Sequence, residues 1–408
     1  MTHQNPVMMT RTMTKTASNC NMTDKQLSQI DKQSPLIELK LQRFPLTNDS
    51  SLKAWNAADE YLFDWLKEQN LPFASNTLII NDQFGALSCG LNSYQPYCWN
   101  DSFLSRTAIQ TNIKLNSLSS KPIFIDQCEH FIPEYLVFDL VVIRIPKHNS
   151  LLEFQLHTIK KHLHKNTIIV SAGMSKEIHK SNLKIYELII GETKTSLAKK
   201  KARLIFTKVQ NLSPNERAFN ALVSQYKEER FGIKVTGLAG VFSRNKLDIG
   251  SRILLNYMPK TQAKQKLIDL GCGTGVLGTC AAIINSELEV TFTDESWLAV
   301  ESAKRTFKNN CTSEANYLVT NVLEGLENNH YNYILCNPPF HQQSVQTLAI
   351  ANEMFKQASE KLVSSGELRV VANRHLNYNN YLTRYFSQVK IISKDPKFII
   401  WLAKSPKR

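Results

Sequence analysis

The residues best suited to chemistry begin in the stretch 266–275, which reads Lys-Leu-Ile-Asp-Leu-Gly-Cys-Gly-Thr-Gly. A carboxylate, Asp269, follows a short apolar run, and glycine then occupies every second position at Gly271, Gly273 and Gly275. Glycine adopts positive φ and has no Cβ, so a ligand can approach the backbone closely at such a turn. Small and apolar residues come next, which gives the order strand, glycine turn, helix. In an open α/β sheet this turn lies at the carboxyl ends of the strands, where ligands bind.

Two kinds of nucleoside cofactor bind glycine turns of this type. The NAD fingerprint is G-x-G-x-x-G, and it brings a pyrophosphate to the N-terminus of a helix. The spacing here is D-x-G-x-G-x-G, which resembles motif I of the class I S-adenosylmethionine-dependent methyltransferases. That resemblance implies a turn that holds the methionine and ribose parts of S-adenosylmethionine. A plain α/β turn is the alternative for the glycines taken alone.

A second candidate stretch, Asn337-Pro338-Pro339-Phe340, follows an apolar strand. An amine attached to an aromatic ring is a poor nucleophile, so its methylation requires the nitrogen to be aimed at the methyl donor. The Asn337 side-chain oxygen and the Pro338 carbonyl oxygen could accept the two amine protons, and Phe340 could stack on the ring. The two prolines hold the turn rigid. We therefore predict a catalytic loop for a planar amine, which needs no general base and no metal, although the tetrapeptide alone is often an ordinary loop.

Polar residues after two further strands complete the predicted cofactor pocket. Asp294 ends a strand, and its two oxygens match the two ribose hydroxyls of a nucleoside, although capping of the next helix is an alternative role. Asn321 follows another strand, where an amide could read the adenine edge; many relatives have an acid there. The predicted cofactor-binding residues are Asp269, Gly271, Gly273, Gly275, Asp294, Asn321 and Asn337.

Strand and helix patterns alternate from residue 265 onward, as in a doubly wound α/β sheet. The predicted strands are 266–270, 288–293, 316–320, 332–336 and 368–372. The predicted helices are 276–285, 297–309, 344–363 and 378–386. A final antiparallel hairpin over residues 389–402, turned at Asp395-Pro396, is what a class I methyltransferase sheet would add.

The first half of the chain repeats this layout at an offset of roughly 190 residues, which indicates an internal duplication. The matching stretches are 77–92 with 267–284, 98–104 with 292–298, and 135–147 with 331–339. The first copy is predicted not to hold the cofactor, because Phe84 stands in its turn and Ile145-Pro146-Lys147 replaces the amide loop. The predicted fold is therefore α/β, with two tandem class I (Rossmann-like) methyltransferase domains, the N-terminal one degenerate.

These patterns also set the expected domain boundaries. We predict a disordered tail at 1–35, a degenerate methyltransferase-like domain at 36–208, a connector at 209–240 and a catalytic domain at 241–408. In the connector, Pro214 suggests the start of a helix, which we expect to run to Glu229, ahead of Gly232. Phe242, which comes next, could form a wall of the cofactor pocket or pack in the core.

Composition narrows the class of partner. The chain has 408 residues with 49 Lys and Arg against 35 Asp and Glu, a net charge of +14 that suggests an anionic partner such as nucleic acid, or a merely basic protein. Lysines cluster near 194–203, where they mark a charged strand edge or a phosphate contact. The eight cysteines form no C-x-x-C pair, and the His157, His162 and His164 spacing suits no helix-face metal site. With no signal peptide and no membrane span expected, we predict a cytoplasmic protein with no metal.

The chain from about residue 36 to its end resembles the RsmC/RlmG-type ribosomal RNA guanine-N2 methyltransferases. The stretches most similar to the large-subunit branch of this family are 43–52, 81–87, 337–343 and 371–376. The resemblance implies S-adenosylmethionine as cofactor and the N2 amine of a guanine in 23S rRNA as the target. It also implies that the first domain helps to hold RNA, and that the guanine is unpaired or flipped. The predicted substrate is protein-free rRNA or an early assembly intermediate.

Three other functions are compatible with parts of this pattern. The same two motifs occur in methyltransferases of 16S rRNA and of protein glutamine amides, and the first copy alone would fit a non-enzymatic RNA-binding scaffold. Positive charge and the duplicated domain favour an RNA substrate. His341 and the Asn373-Arg374-His375 cluster follow predicted strand ends, where they could contact phosphate or base, or only hydrogen-bond within their loops.

Overall fold

Two seven-stranded sheets of identical topology form the body of the protein in a computed structural model. The structure describes residues 36–407 except 37, 47–48, 50, 70, 72–74, 126–131, 211, 213–221 and 340–344. The strand orders are β3-β2-β1-β4-β5-β7-β6 and β12-β11-β10-β13-β14-β16-β15, with a separate two-stranded sheet, β8-β9. The predicted fold class of two tandem Rossmann-like α/β domains is confirmed.

The N-terminal sheet is parallel except for its last strand in the chain, which runs antiparallel to both of its neighbours. Its strands are β1 (Thr77–Ile80), β2 (Tyr97–Trp99), β3 (Ile123–Phe124), β4 (Phe138–Arg144), β5 (Leu163–Met174), β6 (Thr193–Thr195) and β7 (Ala202–Thr207). Its helices are α1 (Ala57–Glu68), α2 (Ala86–Gly90), α3 (Phe103–Leu115), α4 (Asn149–Ile159) and α5 (Lys180–Ile189). Short 3₁₀ turns cover Asn92–Tyr94 and Lys160–His162.

The C-terminal sheet repeats this arrangement. Its strands are β10 (Lys266–Leu270), β11 (Glu289–Asp294), β12 (Ala315–Val319), β13 (Tyr331–Cys336), β14 (Leu362–Asn373), β15 (Phe386–Lys394) and β16 (Phe398–Pro406). Its helices are α6 (Ile249–Leu254), α7 (Val276–Ile284), α8 (Trp297–Lys308), α9 (Val345–Lys361) and α10 (Asn379–Tyr385), with a 3₁₀ turn at Leu255–Tyr257. The predicted elements of this half are present, although β14 begins six residues earlier than the strand predicted at 368–372.

Burial on both faces explains the residue types of the central strands. In β10, the side chains of Leu267, Ile268 and Leu270 are at most 1% exposed, and β10 lies between the parallel strands β11 and β13. Helix α7 consists of small and apolar residues, and its Gly278 is needed because a Cβ there would lie 2.4 Å from the Phe292 ring. This close packing holds the first turn of α7 against β11, the strand beside β10.

The connector contains a hairpin where we predicted a helix running to Glu229. Residues Ser224–Glu228 form β8 and pair antiparallel with β9 (Ile233–Gly237), and Gly232 turns between them at φ +67°. Along β8 the side chains alternate between partly buried and exposed, which is the period of a strand and not of a helix. The predicted helix start at Pro214 lies outside the described residues, as do the tail 1–35 and part of the connector.

The two domains are joined by a reciprocal pair of acids at the starts of α3 and α8. Asp101 accepts hydrogen bonds from the Leu298 backbone N–H (2.8 Å) and the Ser296 hydroxyl (2.6 Å). In the second domain, the Glu295 carboxylate accepts a hydrogen bond from the Ser102 hydroxyl of the first domain at 2.5 Å. Each acid thus binds the helix start of the other domain, where unpaired N–H groups and the helix dipole favour negative charge.

Burial at this junction raises the pKa of both acids, to about 6 for Asp101 and to about 7 for Glu295. A carboxyl with a raised pKa in the folded state binds a proton more readily folded than unfolded. Its protonation therefore stabilises the fold fully below the unfolded pKa, near 4.5 for Glu295, and this stabilisation is lost as the pH rises through about 7.

We predict that Glu295→Gln reduces the pH dependence of folding stability. The free energy of unfolding of the wild type, relative to that of the variant, should fall by on the order of 1 kcal/mol or more between pH 4.5 and 7.5. Urea denaturation at several pH values measures this difference. Ser102→Ala keeps the carboxyl and removes a hydrogen bond that lowers the pKa of Glu295, so its slope should be at least as steep as that of the wild type. Parallel curves for wild type and Glu295→Gln would contradict the prediction.

Candidate active site

The predicted site residues follow neighbouring strands of the C-terminal sheet. Leu270, the last residue of β10, is in register with Cys336 of β13 on one side and Thr293 of β11 on the other. Gly271 and Asn337 therefore continue from paired positions on adjacent strands, which lie about 5 Å apart. The structure thus brings the glycine turn, the aspartate after β11 and the amide loop to one edge of the sheet.

The three glycines of the turn have different roles. All have positive φ: Gly271 at +68°, Gly273 at +52° and Gly275 at +76°. A Cβ on Gly275 would lie 2.6 Å from the Ala303 Cα, so this glycine is required for packing against α8. Among the described residues, a Cβ on Gly273 would meet only the Phe242 carbonyl oxygen, at 3.8 Å, so this part of the chain leaves the space beside Gly273 open. An open, Cβ-free backbone of this kind is suited to a ligand that lies against the turn.

Asp269 is buried beneath the glycine turn and holds it in place by a hydrogen bond. Its side chain is 1% exposed and accepts a hydrogen bond from the Gly278 backbone N–H at 2.8 Å, in the first turn of α7. Burial raises the pKa of Asp269 to about 7. The structure thus places Asp269 where it ties the end of β10 to α7 and thereby fixes the path of the glycines.

Asp294 is the acid that faces the open side of the turn. One oxygen accepts from the Gly273 N–H and the other from the Ser296 N–H, both at 3.0 Å. Burial raises its pKa. Each carboxylate oxygen has a second lone pair, so the group could still accept two hydroxyl hydrogen bonds. Asn321 lies two residues beyond the end of β12, where its Nδ2 donates to Glu324 at 2.5 Å.

The amide of Asn337 is held in one orientation by residues that the sequence did not single out. Its Nδ2 donates to both oxygens of Asp248, each at 3.0 Å, and to the Ser251 hydroxyl at 2.9 Å. Its Oδ1 is buried and has no hydrogen-bond partner among the described residues. Gly250 lies beside that oxygen, since a Cβ there would be 3.4 Å away. A buried acceptor without a partner is unusual in a folded protein, and an incoming N–H donor would satisfy it.

Asp248 could have been suspected from its place directly before an amphipathic stretch. Its carboxylate accepts from the Ser251 backbone N–H at 2.8 and 3.1 Å, and Asp248 is the N-cap of α6. Asp at the position before such a stretch marks a helix start. Nothing in that local pattern, however, indicates the partner at position 337, 89 residues away.

The rest of the predicted amide loop is described only in part. Pro338 is buried and Pro339 is exposed, whereas Phe340 and His341 lie outside the described residues. Phe242 is 48% exposed and so does not pack in the core; its carbonyl oxygen is the group that faces Gly273.

The last residue of β14 and the two residues after it lie at the same edge of the sheet. Asn373 is partly buried, and Arg374 and His375 are exposed. The Arg374 backbone N–H donates to the Lys397 carbonyl oxygen at 2.8 Å, which joins this loop to the turn between β15 and β16.

The first copy lacks an open turn at the corresponding place. Asp82 accepts from the backbone N–H groups of Gly85 (3.0 Å) and Ser88 (2.7 Å), and Ser88 stands in α2 where Gly278 stands in α7. Two residues lie between the acid and the helix-capping glycine here, against five in the second copy. Phe84 occupies the shortened turn, and the Arg43 guanidinium covers its ring at 4.9 Å. This packing leaves no glycine backbone exposed to a ligand.

Two kinds of feature are absent from the described residues. They contain no group of three or more His, Cys, Asp or Glu side chains placed to hold a metal ion. No helix within the described ranges is long and apolar enough to cross a membrane.

Two known protein families match the two halves of the chain. A family described as RLMG N-terminal domain matches residues 11–211, and one described as Methyltransferase small domain matches residues 232–402. The ribosomal RNA large subunit methyltransferase G of Streptomyces avermitilis is 39% identical over 363 residues, which cover 88% of this chain and 95% of that protein. The protein of the same name from Aeromonas salmonicida is 40% identical over 365 residues, or 89% and 96% of the two chains.

A solved structure has the same two-domain fold. It is the T. thermophilus 16S rRNA N2 G1207 methyltransferase RsmC, in complex with AdoMet and guanosine. The two chains share 20% identity and a TM-score of 0.69, with 86% of this chain and 92% of that chain covered. At this level of identity the comparison supports the fold.

We predict that Asp248→Asn lowers the rate of methyl transfer by about 10- to 100-fold through loss of amide orientation. Asparagine can still cap α6, but its own N–H₂ group allows the Asn337 amide to turn over. Steady-state methylation assays measure kcat, while calorimetric titration should show an unchanged dissociation constant for S-adenosylmethionine. Ser251→Ala removes only one acceptor and should have the smaller effect; an Asp248→Asn enzyme with wild-type kcat would contradict the assignment.

We predict that alanine at Gly275 lowers mainly the stability of the fold, whereas alanine at Gly273 weakens mainly the binding of the cofactor. Both glycines have positive φ, so alanine is strained at either by about 1–2 kcal/mol. Gly275→Ala should cost a further 1 to 3 kcal/mol, roughly, because its Cβ collides with α8. Gly273→Ala should fold but bind S-adenosylmethionine more than about tenfold more weakly, because its methyl group enters the ligand space. Thermal melts and calorimetric titration test this; normal cofactor binding by Gly273→Ala would contradict the assignment of that space.

Proposed function

Since this chain belongs to the family of ribosomal RNA large subunit methyltransferase G, we propose that it methylates the exocyclic N2 amine of a guanine in 23S rRNA. The family is S-adenosylmethionine-dependent, and the glycine turn and Asp294 of this chain fit that cofactor. The observation that carries the choice of an amine is the locked Asn337 amide, whose unpartnered oxygen lies at the end of β13.

Two hydrogen-bond acceptors suit the two protons of a guanine amine. The Asn337 Oδ1 is one, and the Pro338 carbonyl oxygen, on the next residue, is the other. Accepting both protons orients the nitrogen and favours its pyramidal form, so that the lone pair points at the methyl donor. Because Asp248 accepts from Nδ2, the amide cannot offer an N–H to the amine in place of its oxygen.

The reaction needs few protein groups besides those that position the amine. When bound, S-adenosylmethionine supplies an activated methyl group on a positively charged sulfur. Asp294 would hold the ribose hydroxyls, Asn321 the adenine edge, and the glycine turn the methionine part. Methylation of the amine would make one of its two protons acidic, and the acceptor that holds this proton, the Asn337 Oδ1 or the Pro338 carbonyl oxygen, would pass it on to water.

The choice of RNA over protein rests on charge and on the relatives. A net charge of +14 favours a polyanion, and the relatives with about 39% identity are named as ribosomal RNA methyltransferases. The guanine must be unpaired or flipped to enter, because its edge is occupied in a duplex. Protein-free 23S rRNA or an early assembly intermediate, in the cytoplasm, meets this need best.

We predict methyl transfer from labelled S-adenosylmethionine to protein-free 23S rRNA, with little transfer to 16S rRNA or to a peptide release factor. Filter retention of labelled RNA measures the rate, and digestion to nucleosides identifies N2-methylguanosine. Asn337→Ala should lower kcat by about 100-fold or more while it still binds RNA. Labelling of only the release factor would establish a glutamine methyltransferase instead, and labelling of only 16S rRNA would assign the other subunit.

A further inference from the structure

The edge of the C-terminal sheet beyond Asn337 carries an unneutralised group of cations. We name as the basic rim the four exposed residues Arg374, Lys390, Lys394 and Lys397. From residue 374 to the end of the chain the sequence has eight Lys and Arg and a single acid, Asp395. Within the part of the chain that the structure describes, none of the four rim side chains has an acidic partner within 4 Å.

Sheet register places the rim on the same side as the amide loop. Cys336 of β13 pairs with Val370 of β14, and β14 then continues to Asn373, which pairs with Phe398 at the start of β16. Lys394, the last residue of β15, pairs with Ile399. The turn between β15 and β16 is therefore two to three strands away from the amide loop, or about 10 to 15 Å across the sheet.

A groove runs from this turn along the edge strand β15. It has a volume of about 610 Å³, and Lys390 and Lys394 line it together with Asn379 and Trp401. A concave track with cations along it follows a polymer better than a single small anion.

The first copy supplies an internal comparison. Its strands β6 and β7 hold the same places in the N-terminal sheet as β15 and β16 do in the C-terminal one. The turn between them is also rich in lysine, but Lys199 pairs with Asp64 of α1 at 2.7 Å and Lys200 pairs with Glu60 at 2.9 Å. Two lysines of this turn are thus paired with acids in the first domain, whereas the described acids pair with no cation of the rim in the second domain.

We propose that the basic rim binds the phosphodiester backbone of the substrate RNA on one side of the target guanine. This proposal rests on the proposed function, because a base inserted at Asn337 leaves its flanking phosphates at the edge of the pocket. The cations are long, exposed and flexible, so they suit phosphate contacts that position the strand without reading its sequence. The rim therefore acts on RNA affinity and not on the methyl transfer step itself.

The test compares Lys394→Ala/Lys397→Ala with the matched control Lys199→Ala/Lys200→Ala, which alters the equivalent turn of the first copy. For protein-free 23S rRNA, the rim variant should bind about tenfold more weakly, and the slope of log K against log salt should decrease in magnitude by about 1 per lysine removed. KM for RNA should rise with kcat unchanged at saturating RNA, and the dissociation constant for S-adenosylmethionine should stay the same. Lys394→Arg/Lys397→Arg should restore RNA binding.

The outcomes distinguish a failure of the proposed role of the rim from a failure of the proposed function. Wild-type methylation of 23S rRNA with unchanged affinity and salt slope in the rim variant would overturn the rim and leave the function intact. Absence of methyl transfer to 23S rRNA by the wild type would overturn both. An equal loss of affinity in the control variant would show a general charge effect, and a loss of binding to anionic lipid vesicles alone would assign the rim to a membrane surface; either result contradicts the proposal.

Discussion

The orientation of one side-chain amide is the constraint on which the site depends. An asparagine amide keeps its shape when it is turned over, yet its acceptor and its donor exchange places. At Asn337 this exchange is prevented by Asp248, whose carboxylate only accepts hydrogen bonds and holds Nδ2 on both oxygens at 3.0 Å. The oxygen is thereby kept as an acceptor beside the glycine turn. The register of β10, β13 and β14 matters to the site because it places this acceptor one strand from the cofactor turn.

The first domain lacks an open glycine turn and has structural roles. In both copies a buried aspartate accepts from a backbone N–H in the first helix, Asp82 from Ser88 and Asp269 from Gly278. The turn is three residues shorter in the first copy, so the packing of strand on helix survives without a place for a ligand. Asp101 of the first domain contacts the second domain directly, because it accepts hydrogen bonds from Leu298 and Ser296. The Ser296 backbone N–H in turn donates to Asp294. The degenerate domain thus supports the acid proposed to hold the ribose.

Local sequence patterns were sufficient for the elements and for the glycine turn. The apolar run, the alternating glycines and the small-residue helix at 266–284 each specify short-range structure, and the final hairpin turned at Asp395-Pro396 is present. The helix predicted up to Glu229 was wrong in its last part, because exposed residues of β8 alternate with partly buried ones at a two-residue period. The polar composition of this stretch is also compatible with an exposed helix, and only pairing with β9 selects the strand.

Partners far apart in the chain could not be predicted in this way. The net charge of +14 indicates an anionic partner, but it does not say which cations are free to bind one. The lysine cluster at 194–203 is the more obvious basic run in the sequence, yet its Lys199 and Lys200 pair with acids of α1 about 135–140 residues away. The cations of β14 to β16 are more dispersed in the sequence and become one surface only when three strands end together. Which cations can attract a polyanion therefore depends on the folded arrangement. A cation in an ion pair still adds to the net charge of the sequence, but its acidic partner cancels most of its field at a distance.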